Sequence, residues 1–201
     1  GNGTFVAVGG EGKIYTSSDG SSWSSQDSGL YGMEGLRGVT FGNGTFVAVG
    51  DYGAFVTSPD GAVWDRNGDS GISESLKGIT FGDGTFMAVG DYGKIYTSPD
   101  GATWSNKSDP SVYSILSGVS YGNGSFVAVG SSGTILTSSD GGANWANITD
   151  PAEITGSGLN GVSYGGGRFV AVGYDKTILT SPDGVAWTSI HSTSSGGYRK
   201  Y

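Results

Sequence analysis

Gly1-Asn2-Gly3-Thr4-Phe5-Val6-Ala7-Val8-Gly9 reads as a glycine-bracketed turn running into a short apolar strand, and close copies of it return four more times. Its phenylalanine recurs at Phe46, Phe86, Phe126 and Phe169, so successive copies lie 41, 40, 40 and 43 residues apart. Behind each copy stands a second shared phrase, ending in Ser-x-Asp-Gly and a tryptophan: Trp23, Trp64, Trp104, Trp145 and Trp187, all the Trp residues of the chain. A period of this length holding several short strands marks a β-propeller blade, a small sheet that cannot bury its own faces and must stack on neighbours. The expected fold is therefore all-β: one domain over 1–201, a five-bladed propeller of four-stranded antiparallel blades. The repeats fall at about 1–35, 36–75, 76–115, 116–158 and 159–196.

One unit read in detail shows why. Leu76 to Phe81 alternates as a first strand, A, and Gly82-Asp83-Gly84 is a tight hairpin signal because glycine adopts positive φ cheaply. Thr85 to Val89 is nearly continuous in apolar residues, as suits strand B buried on both faces. Asp91-Tyr92-Gly93 turns the chain into strand C, Lys94 to Ser98, and after Pro99-Asp100-Gly101 a short polar strand D opens at Trp104. A short polar outer edge resists recruiting another sheet. Ala7, Ala48, Ala88, Ala128 and Ala171 hold the same place in strand B, where close sheet packing requires a small residue.

Strand A is legible only four times, at 36–41, 76–81, 116–121 and 159–164. The first residue falls inside a repeat, as in a processed, excised or truncated chain. The segment 197–201 stands where a fifth strand A belongs, and it is expected to close the ring as the inner strand of the first blade. Arg199 would then occupy the place of Val39, Ile79, Val119 and Val162, which is costly if it is buried unpaired. Filling of that edge by another copy, giving a homo-oligomer, is the alternative.

Glycine at 40 of 201 residues would suggest disorder in an aperiodic chain, but here it marks turns. A net charge of −8 argues against nucleic acid and anionic membrane as partners. No apolar run approaches the roughly 20 residues of a membrane span, and there is no cysteine for a disulfide or a thiolate. Of the five Asn-x-Ser/Thr sequons, Asn2, Asn43 and Asn123 share one repeated turn and read as turn chemistry; Asn106 and Asn147 are the others.

The Ser-x-Asp-Gly phrase resembles the Asp-box, or BNR, repeat of sialidase-like propellers. Ser138-Ser139-Asp140-Gly141-Gly142-Ala143-Asn144-Trp145 matches the usual spacing, and the other four units are one residue shorter. The resemblance implies a structural role for Asp19, Asp60, Asp100, Asp140 and Asp183, each carboxylate tying down a turn between strands C and D, and packing between blades for the five tryptophans. It carries no activity with it. Sialidase chemistry needs three clustered arginines, whereas Arg37, Arg66, Arg168 and Arg199 sit at unrelated repeat positions.

The A–B and C–D turns barely vary between units, while the D–A connections at 24–35, 65–75, 105–115, 146–158 and 188–196 differ in length and composition. Variable loops on a repeated scaffold are where recognition is expected. On the same face lie the B–C turns, two of which pair a carboxylate with an aromatic: Asp51-Tyr52 and Asp91-Tyr92. Such pairs suit sugars, the ring stacking on an apolar sugar face while the carboxylate accepts hydroxyl hydrogen bonds. A plain turn whose Tyr covers a neighbouring strand is the alternative. Arg37 and Lys77, near the channel mouth, could meet an anionic group or pair with Glu34 and Glu74. The lone His191 lacks a Ser-Asp partner pattern. Glu34, Glu74, Asp109 and Glu153 leave a glycosidase pair of carboxylates open. The expectation is a non-enzymatic, secreted, lectin-like module without catalytic residues, metal or cofactor, binding a glycan, a cell-surface polymer or a protein. A structural subunit is the second reading and a glycosidase the third.

Overall fold

The computed structural model describes residues 1–32, 34–66, 71–148 and 158–190. The closing strand expected at 197–201, His191 and Glu153 lie outside them. The chain is a five-bladed β-propeller. The first blade comprises β1 (Phe5–Val8), β2 (Ile14–Ser17) and β3 (Ser24–Gln26); the second β4 (Leu36–Gly42), β5 (Thr45–Gly50), β6 (Phe55–Ser58) and β7 (Asp65–Arg66). The third is β8 (Leu76–Gly82), β9 (Thr85–Gly90), β10 (Ile95–Ser98) and β11 (Ser105–Asn106); the fourth β12 (Leu116–Gly122), β13 (Ser125–Gly130), β14 (Ile135–Ser138) and β15 (Ala146–Asn147). The last is β16 (Leu159–Gly165), β17 (Arg168–Gly173), β18 (Ile178–Ser181) and β19 (Thr188–Ser189). Strands within each sheet stand in sequence order and pair antiparallel; among the described residues the first sheet has three strands and the others four. Beside β1, where the other blades carry their inner strand, Thr4, Phe5, Val6, Val39 and Phe41 line a groove of about 230 Å³.

Each hairpin between strands A and B turns on two left-handed residues, as at Asn43 (φ 46°) and Gly44 (φ 77°), a conformation that asparagine and glycine tolerate. Asn43 does more than turn. Its side-chain amide donates to Pro99 O of the next blade at 3.2 Å, as Asn123 does to Pro182 O at 3.3 Å.

The core lies between blades rather than within them. At every joint one face of a blade, call it the leading face, meets the trailing face of the next. Val47, Val49 and Phe55 lead from the second blade onto Phe86, Ala88 and Tyr96 of the third. Met87, Val89 and Ile95 lead onto Phe126, Ala128 and Leu136. Val127, Val129 and Ile135 lead onto Phe169, Ala171 and Leu179, and Val6, Val8 and Ile14 onto Phe46, Ala48 and Val56. Inner strands approach so closely that a Cβ on Gly78 would stand 3.2 Å from Gly118 Cα, and one on Gly118 3.1 Å from Gly161 Cα. Cross-strand ring pairs such as Phe81–Phe86, with centroids 4.7 Å apart, reinforce each hairpin by ~0.5–1.5 kcal/mol.

Double-sided burial of strand B holds for the three middle blades only. In β1 the residues alternate exposed and half-buried, and in β17 Val172 is exposed, one face of each terminal blade being uncovered among the described residues.

Between strands C and D the five Ser-Asp-Gly turns share one wiring. In the third blade Ser98 Oγ donates to Asp100 Oδ1 (2.9 Å), and the same oxygen accepts from Ala102 N (2.9 Å) and Thr103 N (2.8 Å). Gly101 N donates to Ser98 Oγ, and Trp104 Nε1 donates to Gly101 O at 3.1 Å. Backbone amides aimed at the carboxylate hold these acids below the usual range: Asp19 (chiefly Ser22 N), Asp100 (Thr103 N) and Asp140 (Asn144 N) to about 2. Asp60 and Asp183 are lowered for the same reason, led by Val63 N and Ala186 N. The longer turn of the fourth blade departs from the pattern: Gly142 N donates to Ser138 Oγ (3.0 Å), and Asn144 Nδ2 adds a bond to Asp140 Oδ2 (2.7 Å). Among the described residues Trp145 Nε1 is buried with no hydrogen-bond partner, while Trp23, Trp64, Trp104 and Trp187 each donate to their own glycine carbonyl.

Candidate recognition face

The B–C turns and the D–A connections come together on one end of the propeller. Asp51 N donates to Gly35 O (2.8 Å) and Asp91 N to Ser75 O (3.0 Å), so each turn is pinned to the loop entering its own blade. Within the turn a three-residue 3₁₀ segment, Asp51–Gly53, closes with Ala54 N donating to Asp51 O at 3.1 Å. The middle residue is left-handed every time it is of this kind: Glu11 (φ 57°), Tyr52 (54°), Tyr92 (57°) and Ser132 (56°). That conformation costs a side chain roughly 1–2 kcal/mol relative to glycine, so a tyrosine there opposes the backbone's own preference. Both tyrosine side chains on these turns are exposed.

Among the described residues five tyrosines stand out on this face, between 59% and 80% exposed: Tyr52, Tyr92 and Tyr174 on B–C turns, Tyr31 and Tyr113 on D–A connections. Tyr31, Tyr113 and Tyr174 were not singled out from sequence. Their signal was present, since aromatic residues in otherwise Gly/Ser-rich variable loops have no strand to cover. Ile115 adds an exposed aliphatic side chain beside Tyr113.

The charged candidates pair with each other. Arg37 grips Asp51 through two nitrogens, Nη2 to Oδ2 at 2.7 Å and Nε to Oδ1 at 3.0 Å, and Lys77 Nζ lies 3.4 Å from Asp91 Oδ1. Pairing of Arg37 and Lys77 with Glu34 and Glu74 is thereby corrected: Glu34 binds Arg66 (2.8 Å) and Glu74 binds Lys94 (3.2 Å). Strand A and the B–C turn of one blade are neighbours through the sheet, which brings residue 37 to 51 and 77 to 91. The Arg37 hydrogen bonds hold the Asp51 carboxyl below its ordinary value, and Asp51 in turn raises Arg37. Asp109 caps its own loop, accepting from Ser111 N (2.8 Å) and Ser111 Oγ (2.7 Å). In the fourth blade hydroxyls replace the ion pair: Thr134 Oγ1 donates to Ser131 O, and Ser131 Oγ accepts from Ile115 N. Among the described residues no three His, Cys, Asp or Glu side chains group as a metal would need.

Compared with known proteins, the chain matches the DUF6242 beta propeller domain over residues 25–165. No curated protein sequence matches it. Among solved structures it resembles YCF48 bound to D1 peptide (TM-score 0.70, 18% identity), covering 94% of this chain and 63% of that one. It also resembles a chain of the nidogen/laminin complex (0.64, 13%), covering 90% and 71%. YCF48 from Cyanidioschyzon merolae (0.63, 17%) is covered over 94% and 69%. At these identities the likeness is one of fold, and the chain spans less than two thirds of the first of them.

Proposed function

The chain belongs to the DUF6242 beta-propeller family, and from that premise we propose that it is a non-enzymatic recognition module which captures a polypeptide on its tyrosine-bearing face. The observation that carries this is the set of five exposed tyrosines on one end, two of them on strained left-handed turns. Tyrosine offers a large amphipathic contact at little entropic cost and is enriched at the centres of protein interfaces. Strain kept at an exposed tip is a mark of use. Solved propellers of this shape, YCF48 bound to D1 peptide and a chain of the nidogen/laminin complex, lend the reading support at the level of fold.

The lectin-like reading is kept second, on the equivalence of Asp51/Tyr52 and Asp91/Tyr92, which would make two weak sites able to act together. It is weakened by the cations already held on both carboxylates. Kinship with Asp-box propellers and a location outside the cell belong to the same proposal. The Ser-Asp-Gly wiring supports the first, and the cysteine-free, Gly/Ser-rich composition accords with the second.

The test is a peptide-display selection against the folded domain, with a glycan array run in parallel. Selected peptides should lose about tenfold or more in affinity for Tyr52→Ala/Tyr92→Ala, as expected when interface anchors are truncated, while the thermal midpoint stays put. Peptide binding indifferent to both changes would sink the reading, and tyrosine-dependent glycan binding in its place would install the lectin.

A further inference from the structure

Of the five turns between strands C and D, four share one length and the fourth blade's carries one residue more, Gly141-Gly142 standing where the others have a single glycine. Beside this turn the structure holds a cavity of about 350 Å³ between the fourth and fifth blades. One wall is the fourth blade: Ser125 at the start of β13, Thr137 in β14, and Ser139 and Asp140 in the turn. The fifth blade's turn supplies Val185 to the other wall. A Cβ on its neighbour Gly184 would stand 3.5 Å from Thr137 Oγ1, so this turn lies directly against strand C of the fourth blade.

The lining is of two kinds. Ser125, Thr137 and Ser139 bring hydroxyls, each able to donate and to accept, and Asn144 brings an amide. Thr137 keeps its place in the wall although it is only 8% exposed. Trp145 and Val185 bring apolar surface. The Asp140 carboxyl, held at about 2 chiefly by Asn144 N, is ionised at neutral pH and turns anions away. It is also well engaged: Ser138 Oγ and Asn144 N donate to Oδ1 at 2.8 and 3.0 Å, and Asn144 Nδ2 to Oδ2 at 2.7 Å. A ligand suited to such a lining is uncharged, rich in hydroxyls and apolar on one side. A sugar ring has that make-up.

Departures from the repeat fall on the same spot. Ser139 stands where the second, third and fifth blades have Pro59, Pro99 and Pro182, and Ala146 where they have Asp65, Ser105 and Thr188. Proline there would remove a hydroxyl, and aspartate would add a second carboxylate. The longer turn also frees Trp145 from the bond that the other tryptophans make to their own glycine, leaving Nε1 buried with no partner among the described residues. Unsatisfied buried donors are rare in folded proteins, and this one belongs to a side chain that lines the cavity.

We infer that the cavity between the fourth and fifth blades is a binding site for one neutral sugar ring. It lies at the other end of strand C from the B–C turns that carry Tyr52 and Tyr92, so it is independent of the proposed function.

The test is a titration of the ¹⁵N-labelled whole chain with the methyl glycosides of glucose, galactose and N-acetylglucosamine, each to about 50 mM, enough to fill a site of millimolar affinity. Each tryptophan gives one indole N–H signal, and Trp145→Phe identifies the one at the cavity. At least one glycoside should move that signal saturably while the other four stay still. Thr137→Val keeps the side chain's shape, removes one hydroxyl and should weaken binding about fivefold. Deleting Gly141 restores the turn length of the other four blades and should abolish binding, whereas Tyr52→Ala/Tyr92→Ala should leave it unchanged. No saturable shift with any of the three glycosides overturns the inference. So does a shift that survives the Gly141 deletion in a chain with wild-type circular dichroism, that ignores Thr137→Val, or that is lost with the tyrosines. An equal response to tetramethylammonium chloride overturns it too, since the site would then be reading charge and not hydroxyls.

Discussion

At the residue scale the Ser-Asp-Gly turns show how one carboxylate can organise six residues. Asp19, Asp100 and Asp140 are held at about 2 by amides that bond only the ionised form. An unfolded Asp titrates near 3.9. A folded value below the unfolded one means stabilisation that is complete above about pH 5 and lost as pH falls through 4 toward 2. The thermal midpoint should therefore be level from pH 7 to 5 and drop steeply below 4, and Asp100→Asn should flatten part of that drop. An acid transition centred above pH 5 would rule this out. The same scale shows where sequence reasoning stopped. The repeat pattern singled out Asp51, Tyr52, Asp91, Tyr92, Arg37 and Lys77 as candidates, and in the structure Arg37 meets Asp51 and Lys77 meets Asp91. Which cation meets which anion was not legible, because 37 and 51 are brought together by the A–B hairpin register, where Leu36 pairs with Gly50. Composition says nothing of such a distance.

Among elements, the strands were the most legible part of the chain, since five repetitions average out local ambiguity. Strand A was expected at 76–81 and runs Leu76–Gly82; strand D was expected from Trp104 and begins one residue later. What pattern could not reveal is how tightly the inner strands stack. A Cβ on Gly82 would fall inside the Tyr121 ring of the next blade, as one on Gly42 would inside Phe81. These glycines are sockets for an aromatic side chain, a role that turn statistics miss. Gly82→Ala should therefore destabilise the domain by ~1–3 kcal/mol or more through overpacking, although alanine suits an extended strand. A denaturation midpoint unchanged by Gly82→Ala would show that the joint is looser than its geometry.

For the whole molecule, stability is a sum over blades and the joints between them, and cooperation runs from neighbour to neighbour. Phe86, Met87, Ala88 and Val89 of β9 are fully buried, whereas among the described residues β1 and β17 have one covered face each. Amide hydrogen exchange should thus be slowest in β9 and β13 and faster by at least tenfold in β1, with blades opening from the ends inward. Uniform protection across all five blades would refute it. Seen whole, the recurrence of one pair of mating faces at every joint bears on how such a chain changes over time. A blade duplicated within the gene would arrive with both of its surfaces already matched, and a blade deleted would leave two neighbours that still fit. Recombination in steps of about 40 residues, the length of one propeller unit, demands no new packing. The lineage can count in blades, leaving point mutation to vary the loops.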